Sequence, residues 1–211
     1  MKKLISVKPV IALLALAGAL VLTSCSQVGV AATIGSTKIT QTQVQKSIDE
    51  SLKERTKVNT AGMSLESGAA FNRNQLRFHV ISALLTQITA DQKVTVTKAE
   101  VDARRAEILN QIGGEDKLPE ALVGASIAPS DFLEYIQLIL SSEKLGAKLQ
   151  SQGVTAEETS AAIQKLIIAK GKDVKITINP RFGKWDNATG DIVPADAASP
   201  AATSAESVPA K

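Results

Sequence analysis

Aromatic, cysteine and histidine residues are scarce in this chain of 211 residues. Aromatic side chains make up 3% of the sequence, and there is a single cysteine and a single histidine. One cysteine cannot form an intramolecular disulfide, so the fold must be held by an apolar core. Ala, Leu, Ile and Val supply most of the apolar residues, and this composition favours helices packed through aliphatic side chains.

The charge of the chain gives no indication of a nucleic-acid-binding surface. Lys and Arg number 24 against 21 Asp and Glu, a net charge of +3. Three of the lysines, Lys2, Lys3 and Lys8, lie in residues 1–24, which contain no acid, so the rest of the chain has 21 residues of each sign. Because nucleic-acid binding needs clustered basic side chains, we expect no nucleic-acid partner.

Residues 1–24 have the organisation of a signal peptide: lysines, an apolar run too short for an ordinary transmembrane helix, then small residues. The tetrad Leu22-Thr23-Ser24-Cys25 ends this run and resembles the lipobox of bacterial lipoproteins. The resemblance implies that Cys25 is acylated and that residues 25–29 form a lipidated tether. The protein would then be lipid-anchored to the cell membrane, facing outside the cytoplasm. An unlipidated signal peptide and a plain apolar anchor are the alternatives.

Apolar periodicity and helix-start signals predict a mainly helical domain. Three times a threonine is followed three residues later by Gln or Glu and then by an apolar stripe, the pattern of a capping box. Pro129 fits the first turn of a further helix. The capping boxes are Thr40/Gln43, Thr97/Glu100 and Thr155/Glu158, and the predicted helices span about residues 40–57, 69–90, 97–112, 129–152 and 155–170, with a short one inside 115–127.

Two segments near opposite ends of this region predict strands. Residues 30–40 have the pattern of a hairpin with a Gly35-Ser36 turn, and residues 173–179 alternate between apolar and polar side chains. Since two strands alone are marginally stable, we expect the late strand to join the hairpin in a small antiparallel sheet. From residue 186 onward Ala, Ser, Thr and Pro dominate, which predicts a disordered tail over residues 186–211.

These elements, in this order, resemble the N-terminal domain of SurA-type and PrsA-type extracytoplasmic chaperones. Residues 30–44 resemble the strand-turn-strand and capped helix that open that domain. The helical pattern through Leu149 is similar to the substrate-holding domain of trigger factor. The resemblance covers residues 30–185 and implies a helical SurA-N-like fold. It ends in what we name the closing motif: Asn179, Pro180, Arg181, Phe182, Gly183 and Trp185.

One departure from the full-length relatives matters. In those relatives a parvulin peptidyl-prolyl isomerase domain lies before the closing strand, whereas here residues 153–172 occupy that gap and predict a single helix. The isomerase histidines are absent too, because His79 falls within the second predicted helix. The resemblance therefore implies a form without the isomerase domain.

No residue pattern indicates a catalytic site, a cofactor site or a metal centre. The sequence has no Gly-rich phosphate loop and no nucleophile-elbow serine. His79 has no second histidine or cysteine with which to share a metal ion, and we expect it to be partly exposed. Arg104-Arg105 is expected on a salt-bridged surface, with a partner-binding patch as the alternative. The helical phenylalanines are expected in the core rather than on a client-binding surface: Phe71, Phe78 and Phe132.

The leading hypothesis is a lipid-anchored module that binds unfolded or newly exported polypeptides without catalysis. A concave helical surface lined with aliphatic side chains would hold extended apolar segments weakly and release them without nucleotide. The alternative is an accessory envelope lipoprotein that binds one dedicated protein partner. Neither hypothesis requires a cofactor or a small-molecule substrate. A prolyl isomerase is the third possibility, and we expect no isomerase activity.

Overall fold

The computed structural model describes residues 29–196. The predicted signal peptide, Cys25 and residues 197–211 of the predicted tail lie outside the described residues. No helix in the described part combines the length and apolar character that crossing a membrane requires. The helices are α1 (Gln41–Arg55), α2 (Gly68–Asp91), α3 (Lys98–Ile112), α4 (Leu118–Ala125), α5 (Phe132–Ser151) and α6 (Ala156–Asp173), with 3₁₀ turns at Glu115–Lys117 and Pro129–Asp131; the strands are β1 (Val30–Ile34), β2 (Thr37–Thr40), β3 (Ile176–Ile178), β4 (Lys184–Asp186) and β5 (Asp191–Val193).

Threonines begin three of these helices. Thr97 and Thr155 form complete capping boxes, in which the hydroxyl and the glutamate three residues later satisfy each other's backbone N–H groups. Thr40 accepts a hydrogen bond from the N–H of Gln43, but the Gln43 side chain extends to His79 in α2 instead of returning to Thr40. Two predicted capping boxes are therefore confirmed, and the third is a single cap because Gln43 has a tertiary partner.

The two ends of the described chain meet in one sheet. β1 pairs antiparallel with β2 on one edge and with β3 on the other, so the strand order is β2-β1-β3. Ala32 lies opposite both Ile39 and Ile178. The predicted hairpin and the predicted late strand are confirmed, and β1 is the central strand.

Helices α1, α2, α5 and α6 pack around the sheet to form the main core. Phe71 and Leu76 of α2 are at most 1% exposed. A second, smaller core is centred on Phe132 and Ile136 and lies beneath α3 and α4. α3 has no fully buried residue. It therefore covers the second core with partly buried side chains alone, and an open space remains between α3 and the neighbouring elements.

A second hairpin crosses the boundary where the sequence predicted the start of a tail. β4 pairs antiparallel with β5, and the turn between them is closed by hydrogen bonds to the carboxylate of Asp186. Ile192 is 5% exposed, and Asp191 forms a 2.6 Å ion pair with Arg77 of α2. Residues 186–193 thus belong to the folded domain, because one buried side chain and one ion pair fix a segment with the composition of a loop.

Candidate functional site

An open groove of about 800 Å³ lies between strand β2 and helices α2, α3 and α5. Its lining combines aliphatic side chains with amides and hydroxyls, a mixture that suits a peptide with apolar side chains and a polar backbone. The aliphatic residues are Ile39, Ala83, Leu85, Val96, Val101, Leu133 and Leu138; the polar ones include Gln43, Ser82, Thr86, Gln87, Gln137 and Ser141; the charged ones are Lys38, Lys98 and Glu134.

Leu133 is the most exposed apolar side chain in this groove. It lies in the first turn of α5 and is 52% exposed, while the similarly exposed Leu52 of α1, at 44%, is not part of the lining. Exposed apolar surface is unfavourable in water, and a bound apolar segment would remove it. The groove therefore has an apolar attachment point that the fold itself leaves uncovered.

Besides apolar packing on the second core, charged side chains attach the α3 rim of the groove to α5. Arg104 donates two hydrogen bonds to Glu143, at 2.8 and 2.7 Å, and Lys144 lies 2.5 Å from Glu100. The hydrogen bond from Lys144, helped by Thr97, lowers the pKa of Glu100 to about 2. Because these contacts are exposed, this rim is held by interactions that salt weakens.

His79 connects the groove with a cluster of buried polar side chains. It lines the groove, yet it is 2% exposed, so the expectation of a partly exposed histidine was wrong. The sequence signal for burial was its spacing: His79 lies eight residues after Phe71, which places both on the same face of α2. Arg77 lies on the opposite, exposed face of the same helix.

Two side chains of α1 hold the imidazole of His79. The Gln43 side-chain amide donates to Nδ1 at 3.3 Å, and Ser47 Oγ lies 3.1 Å from Nε2. Since an amide N–H₂ group can only donate, Nδ1 is the acceptor and the neutral ring carries its proton on Nε2. That proton is donated to Ser47, whose hydroxyl in turn donates to the backbone carbonyl of Gln43 at 3.3 Å.

Two carboxylates flank the same imidazole from the start of α5. Asp131 Oδ2 lies 3.8 Å from Nε2 of His79, and Glu134 Oε2 lies 3.6 Å from Nδ1. Asp131 is 8% exposed, and its Oδ2 atom has no hydrogen-bond partner among the described residues. Burial raises the pKa of Asp131, an effect that the nearby side chains of Ser47 and His79 oppose.

This histidine and its two carboxylates are the group within the described range whose ligand atoms come within 4.8 Å of one another. Asp131 faces Nε2 and Glu134 faces Nδ1, so the two acids approach different ring nitrogens. The three side chains form a compact polar cluster around the histidine.

The first part of the closing motif joins β3 to the central strand. Asn179 donates its backbone N–H to the carbonyl of Ala31 at 2.8 Å and its side-chain amide to the carbonyl of Val30 at 3.3 Å. Pro180 and Arg181 form the turn that follows, and the Arg181 guanidinium lies 5.3 Å from the ring centroid of Phe182. These contacts close the sheet and do not reach the groove.

The second part of the closing motif packs the terminal hairpin. Phe182 is 4% exposed, and Gly183 has a φ of +132° and lies directly against Val193 of β5. The Trp185 ring packs on Gly171 of α6, and its indole N–H donates to Asn187 at 3.1 Å. The closing motif is therefore part of the scaffold in this structure.

The remaining predicted residues, except Phe78, occupy the positions that the sequence analysis favoured. Arg104 and Arg105 form exposed ion pairs, Arg105 with Glu115 at 2.7 Å. Phe71 and Phe132 are buried core residues, and Phe78 lies partly buried with its ring edge-on to His79 at 5.1 Å.

The chain matches the family model of the SurA-like N-terminal domain over residues 2–146. That range is more than half of the chain and includes every residue of the groove and of the His79 cluster. α6 and the closing motif lie beyond it. No curated protein and no solved structure matches the chain.

Proposed function

Because the chain belongs to the SurA-like N-terminal domain family, a family of chaperone type, we propose that its groove binds apolar segments of unfolded or newly exported polypeptides. The supporting observation is Leu133, which is half exposed among aliphatic and amide side chains at the wall of the groove. Holding the segment needs no catalytic group, and we propose that the protein acts without catalysing a reaction on its clients.

Two properties of the groove support weak and reversible binding. Its volume of about 800 Å³ admits a short segment of chain rather than a folded domain. The amides of Gln43, Gln87 and Gln137 can bond to the backbone of an extended segment whatever its sequence. Affinity then comes from a few aliphatic contacts, which permits release without nucleotide.

We further propose that the domain is held at the cell membrane, outside the cytoplasm, by lipid on Cys25. The support is the lipobox-like tetrad at residues 22–25 behind a signal-like segment. Mass spectrometry of the N-terminal peptide from the native host tests this proposal, with Cys25→Ala as the control. An N-terminal peptide that carries no acyl mass would remove the anchor without affecting the proposal for the groove.

The groove is tested by suppression of aggregation of a chemically unfolded model substrate. Covering the exposed half of a leucine contributes about 1 kcal/mol, so Leu133→Ser is expected to weaken binding about fivefold. Leu52→Ser is the matched control, because Leu52 is similarly exposed at 44% and lies outside the groove. Equal loss in both variants, or none in either, would contradict binding at this site.

The same preparation is tested in a prolyl isomerase assay and in a pull-down from envelope extracts. Suppression of aggregation without prolyl turnover is the expected result. Recovery of one stoichiometric partner together with no suppression would replace the proposal by the dedicated-partner alternative.

A further inference from the structure

We propose that His79 is a proton-operated switch that changes the charge preference of the groove. The inference rests on the proposed function, because it concerns regulation of the same binding site. It starts from an imidazole that is almost fully buried, faces two carboxylates and still contributes to the groove lining.

The neutral ring is held by an ordered set of hydrogen bonds. Gln43 donates to Nδ1, Nε2 donates to Ser47, and Ser47 donates back to the Gln43 carbonyl. Every polar atom of the imidazole is satisfied in this state without either carboxylate. The distances to Asp131 and Glu134, 3.8 and 3.6 Å, are longer than hydrogen bonds. The carboxylates are therefore next to the ring without being engaged by it.

A second proton on the imidazole of His79 changes this arrangement at Nδ1. Nδ1 becomes a donor, so the hydrogen bond from the Gln43 amide ends in its present direction. Glu134 is the acceptor that a small movement brings to Nδ1, and its side chain is 39% exposed at the groove wall. Protonation thus moves the contact of His79 from an uncharged side chain of α1 to a charged side chain of α5.

The charged groups around the switch come from several elements. Asp131 precedes α5, Glu134 lies within it, and Lys46 of α1 acts on Asp131. Lys38 of β2 and Lys98 of α3 line the same groove. With His79 neutral, one acid and two lysines border the groove. With His79 charged and paired to Glu134, that acid is neutralised and the lysines dominate.

The consequence is a change in which clients bind best. Histidine is the side chain that ordinarily changes its charge between pH 5 and 8. One added charge about 10 Å from a charge on the ligand changes affinity by roughly threefold in a medium intermediate between water and protein. Acidification should therefore favour clients with acidic residues beside the apolar segment and disfavour those with basic residues.

The titration is measured by NMR on the full 211-residue chain. His79 is the one histidine in the sequence, so its imidazole signals are assigned without further variants. Glu134→Gln should lower the midpoint of the titration, because it removes a group that stabilises the charged ring. Glu157→Gln, on the exposed first turn of α6, is the control and should leave the midpoint unchanged. An equal midpoint in the Glu134 variant and the unmodified chain would overturn the switch.

Binding is measured with two fluorescent peptides that share an apolar centre and carry flanking lysines or flanking glutamates. Between pH 8 and pH 5.5 each affinity should change by roughly threefold in opposite directions, so the affinity ratio should shift by roughly ninefold toward the glutamate peptide. His79→Gln should abolish that shift, and added zinc or chelator should not alter it. Binding of both peptides with a pH-independent ratio refutes the switch but not the groove. Failure of both peptides to bind at any pH refutes the proposed function.

Discussion

Asp131→Asn is expected to stabilise the domain at neutral pH, although it alters a buried residue. Asp131 is 8% exposed and its Oδ2 atom has no hydrogen-bond partner among the described residues. Burial disfavours the ionised form of this carboxyl, and the uncharged amide of Asn does not carry that cost. The carboxylate recovers part of the cost, about 0.3–1 kcal/mol, from its position at the N-terminus of α5. The net expectation is a higher free energy of unfolding for the variant, and each gain of about 1 kcal/mol corresponds to roughly 2–4 °C in Tm for a domain of this size.

The pH dependence of this effect follows from the raised pKa of Asp131. A carboxyl whose pKa is higher in the folded than in the unfolded state releases its proton less readily when folded. The folded state therefore loses stability as pH rises from the unfolded pKa through the folded pKa. The advantage of Asp131→Asn should be present at pH 7.5 and vanish below about pH 4, where Asp131 is protonated in both states.

Urea unfolding followed by circular dichroism at pH 7.5 and pH 3.5 measures both quantities. Asp116→Asn is a matched control, since Asp116 is an exposed acid shortly before α4. The control should show no gain at either pH. A variant at position 131 that is less stable than the unmodified chain at pH 7.5 would refute the reasoning, because it would show that the ionised carboxylate is a net stabilising group.

Two further predictions concern the scaffold and the α3 rim. Gly183→Ala should destabilise the domain by about 2 kcal/mol or more, because φ is +132° and an added Cβ would collide with the carbonyl of Val193; Gly114→Ala, at a φ of 116° but with open space around it, should cost less in thermal unfolding. Glu100→Gln should loosen α3 above pH 4.5, and its effect should shrink as pH falls toward and through about 2, because a lowered pKa contributes stability that is lost as pH falls through the folded-state pKa. Hydrogen exchange of the α3 amides, compared between the variant and the unmodified chain at each pH, measures this change.

The local features of the fold were predictable because they depend on neighbouring residues. Thr97 and Thr155 determine two helix starts through residues three positions away, and alternation over residues 174–178 indicates a strand with a buried side. The β4–β5 hairpin was not predictable in this way. Its stability depends on the pairing of Asp191 with Arg77, 114 residues earlier, and on burial of Ile192. The amino-acid composition of this segment indicates neither the ion pair nor the burial of Ile192.

The candidate site was harder to predict for the same reason. The sequence indicated an aliphatic helical surface, but the position of the groove depends on how loosely α3 covers the second core. The sequence predicts a partly exposed His79, whereas the side chain is buried. Its burial depends on Ser47 and Gln43 from α1, and Gln43 looked like half of a capping box. A side chain whose local pattern predicts a helix cap can thus form a tertiary hydrogen bond instead.

α6 alone connects α5 to β3, at the position where the full-length relatives have an isomerase domain. α6 packs against both α2 and α5. Glycines allow a close approach at its contact with α5 and at its contact with Trp185 of β4. A Cβ at Gly146 of α5 would lie 2.9 Å from Thr159, and one at Gly171 would lie 2.9 Å from the Trp185 ring. The short helix thereby brings β3 to the free edge of β1. The sheet, the two cores and the groove all lie within residues 30–193. The closure acts on the groove through α2 and α5, which pack against α6, and through β2, which pairs with β1 beside β3.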